Sequence, residues 1–358
     1  MDTTRRFRGR RSLLALTAVL AAGAFAGCGD DPAGFEIFFP DTVREDALGA
    51  DADGDAVEPD AEVGPDVAPD GPDVAPDIVP DTPPDAPEDD GGDPPPLGLL
   101  DELRLYVNIG DSLAAGYNAD GRNGAGGHGY ARLLLENHVD YPAYAAHHLR
   151  ALHPGVPFVD LGDSGATSSD ALDNVRDALG GSLPRTVDGD VLVTLTCGGN
   201  DFKADPMTMV LASATDAVAA QLQANYREIF RLLRERYEEP AAGRAVVFLV
   251  TNVHDPTGGT GAIPAGFDDG FCGTLNDPRL ALARAAVMAN FTRFNDAIAA
   301  VTAELGGWLV DNHAVFLEHG MNAPGAERWI DDDCVHPTNE GHHQLRREEW
   351  FVLTGERW

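Results

Sequence analysis

Residues Val107 to Tyr117 read VNIGDSLAAGY, an apolar run that ends in Gly110-Asp111-Ser112-Leu113 and continues into small residues. The segment from Leu103 to Ile109 has the β-branched and aromatic content and the length of a buried strand. Gly110 permits a sharp turn, because glycine adopts backbone conformations that other residues avoid. We therefore expect Ser112 at the carboxyl end of a strand, where open α/β sheets bind their ligands.

Strand-like and helix-like segments alternate along the chain after this turn. Further strands are predicted over residues 156–161, 190–196, 245–251 and 308–311, and helices over residues 130–137, 143–152, 170–179, 214–237 and 280–305, with a last helix from residue 338 or 339. Such alternation implies a parallel sheet with helices on both faces. Residues 97–358 are predicted to form one domain.

The charge of the chain is concentrated before this domain. The 358 residues carry 59 Asp and Glu against 25 Lys and Arg, a net charge of −34, and residues 29–96 hold 22 of the acids and a single base, Arg44. This segment repeats PDVAPD at residues 65–70 and 72–77, and it lacks the apolar residues that a core needs. We predict a disordered acidic stalk rather than a calcium site. Nucleic-acid binding is not expected, because no basic face is visible.

The first 28 residues have the pattern of an export signal. Basic residues from Arg5 to Arg11 precede an apolar segment, residues 12–26, that is too short to span a membrane comfortably. Residues 25–28, Phe-Ala-Gly-Cys, resemble the bacterial lipobox, in which the cysteine, here Cys28, is lipidated. Phe25 departs from the usual leucine, so ordinary cleavage or an uncleaved anchor stays open. We predict a lipoprotein anchored to the cell envelope, or a secreted protein if Cys28 is not lipidated.

Polar, glycine-bearing turns follow three of the predicted strands, at residues 110–112, 162–165 and 198–201. In a parallel sheet, all three emerge at the same edge. Near the C-terminus, Asp333 lies three residues before His336 on a loop stiffened by Pro337. A carboxylate at that spacing can reach one imidazole nitrogen while the other nitrogen faces a serine, which is how a hydroxyl is activated.

In this order, the four motifs resemble the signature blocks of the GDSL or SGNH hydrolases, over residues 103–351. The resemblance implies an α/β fold of three layers, α/β/α, that is flavodoxin-like with a central parallel sheet, and an esterase or lipase activity. It implies Ser112 as nucleophile, His336 as base and Asp333 as the acid that orients it. Ser112, Gly165 and Asn200 would form the oxyanion hole. No metal or organic cofactor is implied.

The favoured function is an exported serine esterase that acts through an acyl-enzyme on a small-molecule, lipid or glycan ester. We expect a monomer that contacts a membrane only through its lipid anchor. Two alternatives stay open: an acyltransferase that uses the same residues, and a non-catalytic surface module on the same fold. A display module would tolerate Ser112→Ala, whereas an esterase would not.

Other polar residues are weaker candidates. Ser164 also sits in a Gly-Asp-Ser triplet, but it follows the wrong strand for the nucleophile. Asp111 and Asp201 are expected to hold their turns by hydrogen bonds. His254 and Asp255 either line the cleft or belong to a plain loop. The histidine pairs 147–148 and 342–343 are expected on the surface, since no carboxylate or cysteine lies at a ligand spacing.

Four cysteines are present, and export implies an oxidising compartment. Cys197 ends an apolar strand and is expected to be buried. We hypothesise a Cys272–Cys334 disulfide, with three free thiols as the alternative. It would clamp residues 256–278, a Gly- and Pro-rich loop that is expected to form a lid or a wall of the cleft. The apolar side chains of that loop would meet an acyl chain or pack the loop down: Ile263, Phe267 and Phe271.

Overall fold

The computed structural model describes residues 102–121, 127–267 and 270–357. The predicted signal segment with Cys28 and the predicted stalk lie outside the described residues, so both stay predictions. Among the helices in the described ranges, none combines the length and apolarity needed to cross a membrane.

Five parallel strands form the central sheet, in the order β2-β1-β3-β4-β5. The strands are β1 (Leu103–Gly110), β2 (Phe158–Gly162), β3 (Asp190–Thr196), β4 (Val246–Thr251) and β5 (Trp308–Val310). All five were predicted from the sequence, with ends displaced by at most two residues. This strand order is the flavodoxin-like one.

The helices connect these strands and end the chain. They are α1 (Tyr130–Leu135), α2 (Leu149–Leu152), α3 (Ser168–Gly180), α4 (Gly199–Lys203), α5 (Pro206–Val210), α6 (Ala212–Tyr237), α7 (Gly270–Asn276), α8 (Pro278–Glu304), α9 (Asn312–Phe316) and α10 (Asn339–Thr354). The long helices match the sequence prediction, but α4, α5, α7 and α9 were missed. The predicted helix over residues 143–152 is wrong, because a 3-10 turn at Pro142–Tyr144 is separated from the single turn of α2.

Helices cover both faces of the sheet. Buried side chains of α3, α6 and α8 pack on one face, where the Phe230 and Phe248 rings stack with their centroids 3.6 Å apart. Buried side chains of α1, α2 and α10 pack on the other face. Because both faces are buried, the central strands are almost continuously apolar. The predicted three-layer α/β/α fold is confirmed.

The register of the sheet brings three loops to one level. Gly110 at the end of β1 pairs with Gly162 of β2 and with Thr196 of β3. Gly110 has a φ of +148°, and a Cβ there would lie 1.9 Å from the Thr196 carbonyl oxygen. Only glycine fits this approach. The Asp111 N–H donates to the same carbonyl at 2.9 Å, which fixes the start of the Ser112 turn.

Candidate active site

Ser112 lies in the turn after β1, with its side chain directed at a histidine from the far end of the chain. Its Oγ is 2.8 Å from Nε2 of His336, which belongs to the loop before α10. Ser112 is 9% exposed, so this contact is largely shielded from bulk water. The register of β1 and the course of the C-terminal loop thus place a hydroxyl against an imidazole.

Asp333 completes a chain of hydrogen bonds. His336 Nδ1–H donates to Asp333 Oδ2 at 2.5 Å, while the N–H groups of Val335 and His336 donate to Oδ1 at 2.9 Å. Burial alone would raise the pKa of Asp333, but the hydrogen bond and charge of His336 and these backbone donors outweigh it and lower the pKa to about 2. A fixed carboxylate leaves Nε2 of His336 free to accept the serine proton.

Two residues that follow the serine turn support this pair, and neither was predicted from the sequence. Asn118 Nδ2–H donates to Asp333 Oδ2 at 2.8 Å, and the Tyr117 ring packs on the His336 ring with centroids 4.3 Å apart. Asn118 has a φ of +62°, which asparagine tolerates better than most residues. Their position after the Gly-Asp-Ser-Leu motif was the available signal, but their partners are over 200 residues away.

His254, which was expected either in the cleft or in a plain loop, lies in the cleft. It lines the same cleft as Ser112 and His336, and its Nε2–H donates to the Val335 carbonyl at 2.6 Å. Burial lowers the pKa of His254 to about 4, against the effect of that hydrogen bond, so the ring is neutral at pH 7. His254 therefore braces the loop that carries the histidine and acid. Its neighbour Asp255 accepts hydrogen bonds from Thr257 and Gly259 and holds the following loop.

The expected oxyanion-hole donors come from three of the strand ends. Within the described residues, the N–H groups of Ser112 and Gly165 donate to no protein acceptor. Gly165 has a φ of +90° on the loop after β2. Asn200 at the start of α4 donates one amide hydrogen to the Ala166 carbonyl at 2.9 Å, which ties its side chain to the Gly165 loop. Its second amide hydrogen stays available.

Asp111 and Asp201 hold the strand-end turns by hydrogen bonds, as expected. Asp111 Oδ1 accepts the Leu113 N–H at 2.9 Å, and burial raises the pKa of Asp111 to about 6 despite that bond. Asp201 accepts the N–H and hydroxyl of Ser168 at 2.8 and 2.5 Å. Ser164 is exposed, and among the described residues no histidine bonds to it. Among the described residues, Ser112 is the only one whose hydroxyl forms a hydrogen bond with the His336 imidazole.

Ser112 and His336 open onto a cleft of about 110 Å³ with mostly apolar walls. The sheet edge contributes Thr196, Thr251 and the loops that follow. Helices α4, α5, α7 and α8 contribute further lining residues: Phe202, Lys203, Met209, Phe271, Leu275, Val287, Met288 and Phe291. Hydrocarbon therefore forms most of the surface that a ligand beside Ser112 would touch.

A scan against protein families matches residues 109–344 to the GDSL-like Lipase/Acylhydrolase family. The match covers about two thirds of the chain and all the residues just described. The chain belongs to the GDSL-like lipase/acylhydrolase family. Membership makes it a hydrolase of ester bonds, as the four motifs predicted.

Solved structures similar to this GDSL-family chain share little sequence with it. An acetyl xylan esterase from Geobacillus stearothermophilus is 17% identical, with a TM-score of 0.46, over 72% of this chain and 97% of that one. Phospholipase A1 from Streptomyces albidoflavus NA297 is 22% identical, with a TM-score of 0.44, over 71% and 99%. A lipolytic GDSL-family protein from Veillonella parvula DSM 2008 is 12% identical, with a TM-score of 0.43, over 70% and 98%. A search of curated proteins found no match.

The expectation of surface histidines in α10 is wrong. His342 and His343 are 0% and 4% exposed, because the helix turns this side toward α1 and the loop before α2. His342 Nε2–H donates to the Tyr117 carbonyl at 3.2 Å, and His343 stacks on Tyr141. Burial lowers the pKa of His342 to about 4 and of His343 to about 3. Through the Tyr117 carbonyl, His342 thus holds the segment that follows Ser112 in this GDSL hydrolase.

A cluster of two histidines and an aspartate was also not predicted from the sequence. His128, His138 and Asp140 each place one possible metal-ligand atom within 4.8 Å of the others. Asp140 Oδ2 is 3.0 Å from His128 Nε2 and 3.4 Å from His138 Nδ1, and the other nitrogen of His128 contacts the Asp120 carboxylate. The backbone N–H of Asp120 donates to Asn339. The cluster therefore fixes the loop that follows Asn118.

A disulfide joins Cys272 of α7 to Cys334, with a Cα–Cα distance of 5.3 Å. Ile263 and Phe267 pack around it, whereas Phe271 lines the cleft. Within residues 256–278 of the GDSL hydrolase, Ile263 and Phe267 thus pack the loop down, while Phe271 and Leu275 line the cleft. Cys197 is a buried free thiol.

We expect loss of this disulfide to destabilise the protein and its site together. The bond closes a loop across a sequence separation of 62 residues. Removing it should lower the free energy of unfolding by about 4 kcal/mol, because the unfolded chain gains entropy. It should also lower esterase activity, since Cys334 lies between Asp333 and His336.

The measurement is thermal unfolding and peptide mapping with and without a reductant. The wild type should lose roughly 10 °C in Tm on reduction. The variant with Cys272→Ser and Cys334→Ser should unfold at that lower temperature under both conditions. Alkylation of both cysteines in unreduced protein would contradict the expectation.

Proposed function

We propose that the chain is a serine esterase that cleaves carboxylic esters through an acyl-enzyme on Ser112. One observation carries the proposal, namely the continuous hydrogen-bonded chain from Ser112 Oγ through His336 to Asp333, at 2.8 and 2.5 Å. This is the arrangement of a nucleophile, a base and the group that orients the base.

In the first half-reaction, His336 Nε2 takes the proton of Ser112 as Oγ attacks the ester carbonyl. The charge on the resulting imidazolium faces the Asp333 carboxylate. His336 then gives this proton to the departing alcohol oxygen, the carbon–oxygen bond breaks, and the acyl group stays on Oγ. A water molecule then gives a proton to the same nitrogen as its oxygen attacks the acyl carbon. His336 returns this proton to Ser112 Oγ as the bond between the acyl carbon and Oγ breaks, which releases the acid and restores the serine.

The negative oxygen of each tetrahedral intermediate needs hydrogen-bond donors. The free N–H groups of Ser112 and Gly165 and the second amide hydrogen of Asn200 support a hole at this point. The bond from Asn200 to Ala166 orients the amide before the reaction begins, which is the condition for efficient electrostatic stabilisation. Loss of one such donor typically lowers kcat by about a hundredfold to a thousandfold.

We further propose that the enzyme is exported. The N-terminal pattern supports a signal segment that ends at Cys28. The disulfide between Cys272 and Cys334 supports an oxidising compartment, since cytosolic thiols are kept reduced. The acidic segment over residues 29–96 would then separate the catalytic domain from its anchor.

The test is labelling of the full chain with a fluorophosphonate, a probe that phosphonylates activated serines. We expect a single adduct, located on Ser112 by peptide mass, and parallel hydrolysis of para-nitrophenyl esters. Ser164→Ala is the matched control and should label like the wild type. An adduct on Ser164, or no adduct on a folded wild type, would contradict the proposal.

A further inference from the structure

Lys203 is the only lysine in the chain, and the other 24 basic residues are arginines. It is the last residue of α4, the short helix that begins with the Gly-Asn-Asp motif. Its side chain lines the cleft shared by Ser112 and His336. A chain that uses arginine everywhere else therefore places its one lysine in the same cleft as the candidate nucleophile.

The ammonium has no strong partner of its own. Across the described residues, no hydrogen bond or ion pair involves Lys203 Nζ, which lies 5.7 Å from the centroid of the Phe271 ring. Burial lowers the pKa of Lys203, whereas the charges of Asp111 and Asp333 raise it. These carboxylates favour the charged form without binding it directly.

The two carboxylates whose charges act on Lys203 bond to other groups. Asp333 accepts four hydrogen bonds, and Asp111 accepts the Leu113 N–H through Oδ1. A cation among apolar walls is costly unless an anion pairs with it. The hydrogen-bond donors of Nζ are therefore available to an anionic ligand.

We propose that Lys203 binds a carboxylate carried by the ester substrate, so that the enzyme prefers anionic esters. This inference rests on the proposed esterase function. Lys203 lies three residues after Asn200 in α4, so both side chains leave the same side of the helix. The substrate's charge would thus lie on the oxyanion side of the scissile bond. A lysine suits this task, because its compact ammonium pairs with a single carboxylate oxygen on a flexible stem.

Two kinds of ester could present this charge, and matched substrates separate them. The first pair is mono-para-nitrophenyl glutarate and para-nitrophenyl pentanoate, which differ by a carboxylate on the acyl group. The second pair is meta-carboxyphenyl pentanoate and phenyl pentanoate, which differ by a carboxylate on the alcohol. A charge-assisted hydrogen bond corresponds to about a tenfold to hundredfold preference in kcat/KM.

We expect the wild-type full chain to prefer the anionic member of one pair by at least tenfold, and less so at high salt. Lys203→Met should reduce this ratio to about one, and Lys203→Arg should retain part of it. Arg176→Met is the matched control, because it removes one positive charge from the surface of α3 and should leave the ratio unchanged. A ratio near one in the wild type, or equal losses on both esters in Lys203→Met, would overturn the inference.

A binding measurement keeps the inference independent of turnover. Calorimetry with monomethyl glutarate on Ser112→Ala should show binding that is lost in Ser112→Ala with Lys203→Met. Equal binding by both variants, or no binding by either, would contradict a carboxylate site at Lys203. Fluorophosphonate labelling without hydrolysis of any ester would instead count against the esterase proposal alone.

Discussion

Replacing Ser112 by alanine is expected to lower kcat for a para-nitrophenyl ester by roughly 10⁶-fold, while the protein stays folded. The hydroxyl is the only group that the described structure places on His336 Nε2, so no second nucleophile can substitute for it. The residual rate would come from binding and from the oxyanion donors.

Thermal unfolding provides the companion measurement for this variant. In the part of the chain that the structure describes, Ser112 Oγ makes one hydrogen bond, to His336, and the backbone of the turn is held by Asp111 and Gly110 instead. The free energy of unfolding should therefore change by about 1 kcal/mol or less. Ser164→Ala should leave both activity and stability unchanged. A Ser112→Ala protein with a tenth of wild-type activity would rule out the acyl-enzyme mechanism.

The sheet could be predicted from sequence because its signals are local. The apolar runs of β1, β3 and β4 are buried on both faces, and each is bounded by glycine or polar turns. Gly110 marks the close approach to Thr196. The four motifs then fall at strand ends or in the C-terminal loop, so topology alone brings three of them to one edge.

Helix α10 shows why other features could not be predicted from the sequence. Its buried face carries His342, Leu345, Arg346, Glu349 and Leu353, at helical spacing. Three of the five are charged or titratable, so a polarity pattern assigns this face to solvent. Arg346 is buried because it donates to the Leu133 carbonyl and to Asn137, more than 200 residues earlier. No local signal reports such partners.

The same reason explains the missed support residues. Asn118 has meaning only because Asp333 lies next to it, and His254 only because the Val335 carbonyl does. The helix predicted over residues 143–152 failed for a related reason. His343 holds Tyr141 and Tyr144 by ring contacts on either side of Pro142, and these tertiary contacts override the local helical spacing.

Replacing Asp333 by asparagine is expected to lower kcat by roughly 10⁴-fold. The Asp333 carboxylate accepts four donors, and an amide can accept at only one oxygen. The side-chain N–H of the new asparagine would donate to His336 Nδ1 and leave the proton on Nε2, facing Ser112 Oγ. The imidazole could then not accept the serine proton. Asp332→Asn is the matched control, since the Asp332 side chain is exposed and forms a surface ion pair with Arg328.

The difference in stability between the wild type and Asp333→Asn should decrease as the pH falls. The pKa of Asp333 is lowered from 3.8 to about 2, so the folded state binds fewer protons than the unfolded state. The stabilising contribution of Asp333 is therefore complete above about pH 4 and is lost as the pH falls through about 2. The difference in Tm between the wild type and Asp333→Asn should be full at pH 7 and shrink across that window. A difference that grew on acidification would mean that His336 and the backbone donors do not stabilise the Asp333 carboxylate.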